Sequence, residues 1–110
     1  MMKIAMSPAA VGLLRALIAK ADVPRNRILL TEWRSTDWQS LTFMGERHEI
    51  RLRMAGPDSH AIGLRLAEGL ADAEFAIPGH IVADIAVVGA PIRSDDGLTT
   101  LAIEALTIAE

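Results

Sequence analysis

The side chains best suited to chemistry in this sequence are three histidines, a group of arginines and two tryptophans. His48, His60 and His80 show no His-x-His, His-x-x-x-His or His-Glu-x-x-His spacing, the patterns that turn two imidazoles toward one metal. His48 opens an alternating strand pattern and His60 follows its far end. Six strand steps, at about 3.3 Å each, already separate His48 from Met54. No metal site is expected, and the chain has no cysteine to supply a thiolate ligand, a nucleophile or a disulfide. His80 stands four residues before Asp84, but a strand over that stretch holds the two apart. Gly-x-Ser-x-Gly, P-loop and Gly-x-Gly-x-x-Gly patterns are all absent. Ser94, Asp95 and Asp96 offer too few alternating oxygens for a calcium loop and read as solvated turn residues.

The arginines fall in a pattern. Arg47, Arg51 and Arg53 alternate with His48, Ile50, Leu52 and Met54, which places the arginines on one strand face and the apolar set on the other. With Arg34 on a neighbouring strand and Trp33 or Trp38 close by, such a face could hold an anion or stack a base. Glu32, Asp37, Glu46 and Glu49 lie in the same stretch and neutralise much of that field, so cross-strand ion pairs on a solvated face explain it equally well. The residues marked for a ligand or partner surface are Trp33, Arg34, Asp37, Trp38, Arg47 and His48. No cofactor is implied.

The elements that must position these groups can be read in outline. Ser7-Pro8 is a helix start, since serine caps free N–H groups and proline at the first helical position forfeits no hydrogen bond. The first helix runs to about Ala21, with Val11, Leu14, Leu17 and Ile18 as its inward stripe. Arg15 is its only charge between Pro8 and Ala19. A helix so apolar asks for cover on more than one side, and a partner subunit is one cover. A short strand is expected over Lys3–Met6.

After Val23-Pro24, strands are expected at Arg27–Arg34 and Trp38–Met44, joined by a turn at Ser35-Thr36-Asp37. A second turn or a bulge is expected at Gly45-Glu46, before the alternating Arg47–Met54. A second helix is read over Ser59–Ala71, carrying Gly63 and Gly69, and a short strand over Glu74–Ile77. Pro78-Gly79 signals a turn. Ile81–Ile92 and Leu98–Ala109 form a final strand pair around Asp96-Gly97. These two strands are apolar on both faces apart from Asp84 and Glu104, a pattern that calls for cover on both sides of the sheet.

The expected fold is therefore α+β, an antiparallel sheet of five or six strands with two helices on one face. The 110 residues make one domain. Its punctuation is consistent with a helix–strand–strand unit used twice, in halves 7–54 and 57–108. Charged residues at 23% and hydrophobic residues at 51% describe a globular chain. A net charge of −3 disfavours a nucleic-acid backbone as partner. No apolar run approaches the roughly 20 residues that cross a bilayer. Arg15 interrupts the apolar N-terminal region that would otherwise imitate an export signal, so a cytoplasmic location is expected.

Three functions compete on these features. The first is a non-enzymatic binding or assembly module that forms a homodimer or larger oligomer, resting on the apolar first helix and the doubly apolar last strand pair. The second is a small-molecule-binding domain with a cleft near Trp33 and Trp38. The third is a small enzyme using His48 or His80 with a nearby acid. The lack of any catalytic signature favours a module over an enzyme.

Overall fold

A computed structural model describes residues 6–110; the strand expected at Lys3–Met6 lies, apart from Met6, outside them. Helix α1 spans Pro8–Ala21. The Ser7 hydroxyl accepts a hydrogen bond from the Ala10 amide at 3.1 Å and Pro8 fills the first helical position. Asp22 ends the helix in the left-handed region, at φ 53°. The buried side of α1 is Ala9, Ala10, Leu13, Leu17 and Ala21, so Leu13 belongs to the core and Val11 does not.

Leu14 and Ile18 form a second, partly buried side. On the opposite flank the segment after α2 packs on the helix, with Ile77 against Gly12 and Phe75 joined to the core. A Cβ on Gly12 would stand 2.6 Å from Ile77 Cγ2.

Strands β1 (Ile28–Gln39) and β2 (Met44–Met54) form one long hairpin. The turn expected at Ser35-Thr36-Asp37 is absent: these residues pair with His48, Arg47 and Glu46 inside the ladder. The Ser35 hydroxyl bonds to side chains on the strands instead of to its own backbone. The real turn lies at Ser40–Phe43, where the Ser40 hydroxyl accepts from the amides of Thr42 (3.3 Å) and Phe43 (3.0 Å). The only irregularity of this ladder falls between Leu30 and Glu32, a β-bulge at Thr31. Gly45-Glu46 sits in regular strand.

Helix α2 is shorter than expected, Ser59–Ala67, because Gly69 turns left-handed at φ 65° and a 3-10 turn follows at Leu70–Asp72. Gly63 allows close packing: a Cβ there would stand 3.2 Å from atoms of Met54, Pro91 and Thr99. The two helices cap each other. The Lys20 ammonium donates to the carbonyls of Arg65, Leu66 and Glu68 at 3.2, 3.0 and 2.7 Å, and the Arg65 guanidinium donates to the carbonyl of Ala21 at 3.2 Å. Cations thus sit on the exposed carbonyls of each helix C-terminus, where the helix dipole favours them.

Glu74–Ile77 forms no strand; Ile77 contributes one isolated bridge to His80. Strand β3 covers His80–Val87. The run expected to reach Ile92 is broken by Gly89, at φ 77°, and by Pro91, so that Ile92–Arg93 pairs separately as β4. Strand β5 is Thr99–Ala109.

The sheet is antiparallel with the order β1-β2-β5-β3, β4 pairing with β5 alongside β3. Each half of the chain therefore contributes a helix, an edge strand and a central strand. Both helices lie on one face, over a core that includes Trp33, Ile50, Leu52, Met54, Leu101, Ile103 and Ile85. The expected α+β sheet with two helices on one face is the observed fold.

Candidate functional site

The hairpin decides where the marked residues go. Because β1 runs unbroken from Ile28 to Gln39, side chains an odd number of residues apart point to opposite faces. Trp33, Ser35 and Asp37 share the helix side with His48 and Glu46, their cross-strand neighbours being Ile50, His48 and Glu46. Arg34 and Trp38 share the open side with Arg47. The six marked residues thus split into two sets of three, and the two tryptophans do not wall one cleft.

On the helix side, His48 is fully buried in a polar cluster that joins three strands. Its Nδ1 lies 2.8 Å from Ser35 Oγ and 3.3 Å from the indole nitrogen of Trp33, which also donates to Ser35 Oγ at 3.0 Å. An indole N–H can only donate, so Nδ1 must present its lone pair and the neutral ring carries its proton on Nε2. That proton points at Thr107 Oγ1, 2.9 Å away and also buried. The Trp33 and His48 rings meet edge-on, with centroids 5.7 Å apart and an interplanar angle of 66°.

Burial pulls the His48 pKa below the ordinary histidine value; the nearby Glu46 carboxylate offsets part of this and His80 adds to it. Glu46 in turn accepts a hydrogen bond from the Ser7 hydroxyl at 2.6 Å, tying the start of α1 to β2.

A serine hydroxyl against a neutral imidazole is the arrangement of a nucleophile and its base. Here the hydroxyl also accepts the Trp33 proton, and an uncharged hydroxyl, not a carboxylate, holds the second ring nitrogen. The cluster satisfies every buried polar atom it contains and pins β1, β2 and β5 together, and that is its physical role. Sequence reasoning marked Trp33 and His48 but missed Ser35 as their partner and Thr107, 59 residues from His48. No local pattern links such distant positions.

Asp84 does not face His80, whose Nδ1 donates to the Pro78 carbonyl at 3.1 Å. Asp96 is a loop fastener: it accepts from the Ser94 hydroxyl (2.7 Å), the Leu98 amide (3.0 Å) and the Arg53 guanidinium (2.9 Å). Those donors hold its carboxyl below the usual carboxylate range, the serine hydroxyl foremost. Among the described residues, no three His, Asp or Glu side chains are placed to share a metal.

Comparison with protein families, with curated proteins and with solved structures finds no match to this chain. Its site must be judged on geometry alone.

The open side of the sheet carries no helix. Its β1–β2 half is charged, with Arg34 and Glu49 3.8 Å apart and Arg51 and Glu32 3.8 Å apart. These pairs are solvent-exposed and contribute little stability. The β5–β3 half is mixed: Ile81 lies beside Ile108 and Val88 beside Ala102, but between them Asp84 pairs with Leu106 and Ala86 with Glu104.

At one end the register draws Trp38, Gly45, Ile108 and Ile81 into a single row across all four strands. Next to that row, the β1–β2 turn leaves Leu41 fully exposed, Met44 at 66% and Phe43 at 51%. Ile81, at the other end of the row, is 52% exposed. This end of the sheet, unlike the interior polar cluster, leaves large apolar side chains exposed.

Proposed function

We propose that this chain is an assembly module that pairs with a second copy of itself through the uncovered end of its sheet. One observation carries the reading. The row Trp38–Gly45–Ile108–Ile81 lies on the side of the sheet that no helix covers, and the β1–β2 turn beside it exposes Leu41 and Phe43. Water-exposed monomers seldom keep such surface contiguous, because covering it recovers roughly 25 cal/mol for each Å² of apolar area. A symmetric pair covers one such patch with another, residue i of each copy meeting residue j of its mate.

The test is sedimentation velocity over a dilution series. The unmodified chain is expected to sediment as a pair of chains that dissociates on dilution. Ile81→Asp, which places a carboxylate on an already exposed strand position, is expected to give single chains with an unchanged circular dichroism spectrum. A chain that sediments singly at every concentration contradicts the proposal, as does an Ile81→Asp variant that pairs as tightly as the original.

A further inference from the structure

We infer that the first turn of α1 responds to the charge on His48, and that the Glu46 carboxylate couples the two. This is independent of the self-association proposed above. The groups concerned form one chain. His48 Nε2 donates to Thr107 Oγ1 at 2.9 Å. Thr107 is the cross-strand partner of Glu46, and its hydroxyl lies 3.5 Å from the Glu46 carbonyl oxygen. The Glu46 carboxylate accepts from the Ser7 hydroxyl at 2.6 Å, and Ser7 Oγ accepts from the Ala10 amide at 3.1 Å. A buried ring in the sheet is thereby connected to the cap of a helix.

Two groups compete for Glu46. While His48 is neutral, the carboxylate holds the Ser7 hydroxyl and places a negative charge beside the N-terminus of α1, where the helix dipole favours it. Protonation adds a proton from solvent at Nδ1, with Ser35 Oγ as its acceptor, and leaves the ring a donor at both nitrogens. A positive charge then stands among hydroxyls and an indole N–H, none of which can neutralise it. Glu46 lies on the same face of the same strand. Turning toward the imidazolium, its carboxylate gives up the Ser7 hydroxyl. The first turn of α1 then loses both its anion and its tie to β2.

The other charges around the ring are poorly placed to take this part. Asp37, on β1 opposite Glu46, is exposed, so water and salt screen it. His80 on β3 gains positive charge in acid and opposes that of His48 instead of offsetting it. The nearest side chains of β5, Ala105 and Thr107, carry no charge. Arg15 of α1 lies with Val11, Ile77 and Pro78, and Glu74 and Glu110 face the groove on the far side of His80.

Amide hydrogen exchange by NMR tests the coupling, with the folded protein titrated through the His48 midpoint as read from its own ring protons. The protection of the Ala10 amide, corrected for the intrinsic pH dependence of exchange, is expected to fall about fivefold at that midpoint, on the scale of a lost helix cap. Glu46→Gln keeps an oxygen for Ser7 but has no charge to be drawn away. In that variant His48 is expected to titrate at lower pH, and Ala10 to keep its protection through the transition. Asp37→Asn is expected to leave the Ala10 response as it is in the unmodified protein.

Constant protection of Ala10 while His48 titrates would overturn the inference. An equal fall in Glu46→Gln would do the same, because the loss would then come from general loosening and not from the carboxylate. If Glu46→Gln does not fold, the carboxyl carbon shift of Glu46 in the unmodified protein decides: a step at the His48 midpoint supports the coupling, and its absence overturns it.

Discussion

At the residue scale, His48 is the most constrained group in the molecule. Its two ring nitrogens bond to hydroxyls on different strands, and Trp33 aims an N–H at the same lone pair as Ser35. Protonating the ring would place an Nδ1–H against that indole N–H inside a buried site, so folding favours the neutral form. The folded pKa therefore lies below the unfolded value of 6.5. Between those two values the unfolded chain binds more protons, so stability rises with pH. The contribution is complete above 6.5 and is lost as pH falls from there through the folded value. Urea denaturation followed from about pH 7.5 to about pH 5 is expected to show a falling midpoint in the original protein. His48→Leu is expected to be less stable at neutral pH, by about 2 kcal/mol, since three polar partners lose bonds. That variant should have a flatter pH dependence; a slope as steep as the original's would assign the pH response to other groups.

The same scale shows what composition and spacing could reveal. The alternation of Arg47–Met54 puts His48 among Ile50, Leu52 and Met54 on the buried side, and it lies there. The six marked residues read as one surface only if a turn separates Trp33 from Trp38. A continuous strand has a period of two, so residues five apart in it must face opposite ways. The error over one turn thus divided the site.

At the scale of elements, turns misled more than periodic patterns did. Ser35-Thr36-Asp37 has turn composition but strand conformation, because Ser35 finds a better partner in His48 than in its own backbone. Ser40 has no glycine or proline beside it and nonetheless makes the turn. Helix α1 was legible from its cap, but the packing on its Gly12 flank was not. That packing comes from Phe75 and Ile77, far along the chain, while Leu14 and Ile18 stay only partly buried. The apolar last strands are interrupted on the open side by Asp84 beside Leu106 and Glu104 beside Ala86.

Gly45 shows how tightly the central strands meet. A Cβ there would stand 2.0 Å from the Thr107 carbonyl oxygen, a backbone atom that cannot rotate away. Gly45→Ala is therefore expected to force β2 and β5 apart beside the Thr107–His48 bond, costing about 3 kcal/mol. Thermal unfolding checks this, with Gly97→Ala as the comparison. Gly97 has φ 81° and no atom within 4 Å of where a Cβ would stand, so its cost is strain alone, about 1 kcal/mol. Equal losses from the two substitutions would mean that the close approach at Gly45 is not limiting.

At the scale of the whole molecule, one face of the sheet is finished and the other is not. The helices, the mutual capping by Lys20 and Arg65, and the segment through Ile77 close one side. No helix among the described residues is long and apolar enough to cross a membrane. The open side mixes ion pairs that need no partner with an end that leaves Leu41, Phe43 and Ile81 to solvent. The self-association proposed above would cover that end. Small-angle X-ray scattering of the unmodified protein measures this most directly. The expected forward scattering corresponds to twice the mass of the 11.8 kDa chain, with a radius of gyration well above the 13.9 Å of the single chain's Cα atoms. A mass of one chain at every concentration, with a radius near that of the single chain, would contradict self-association.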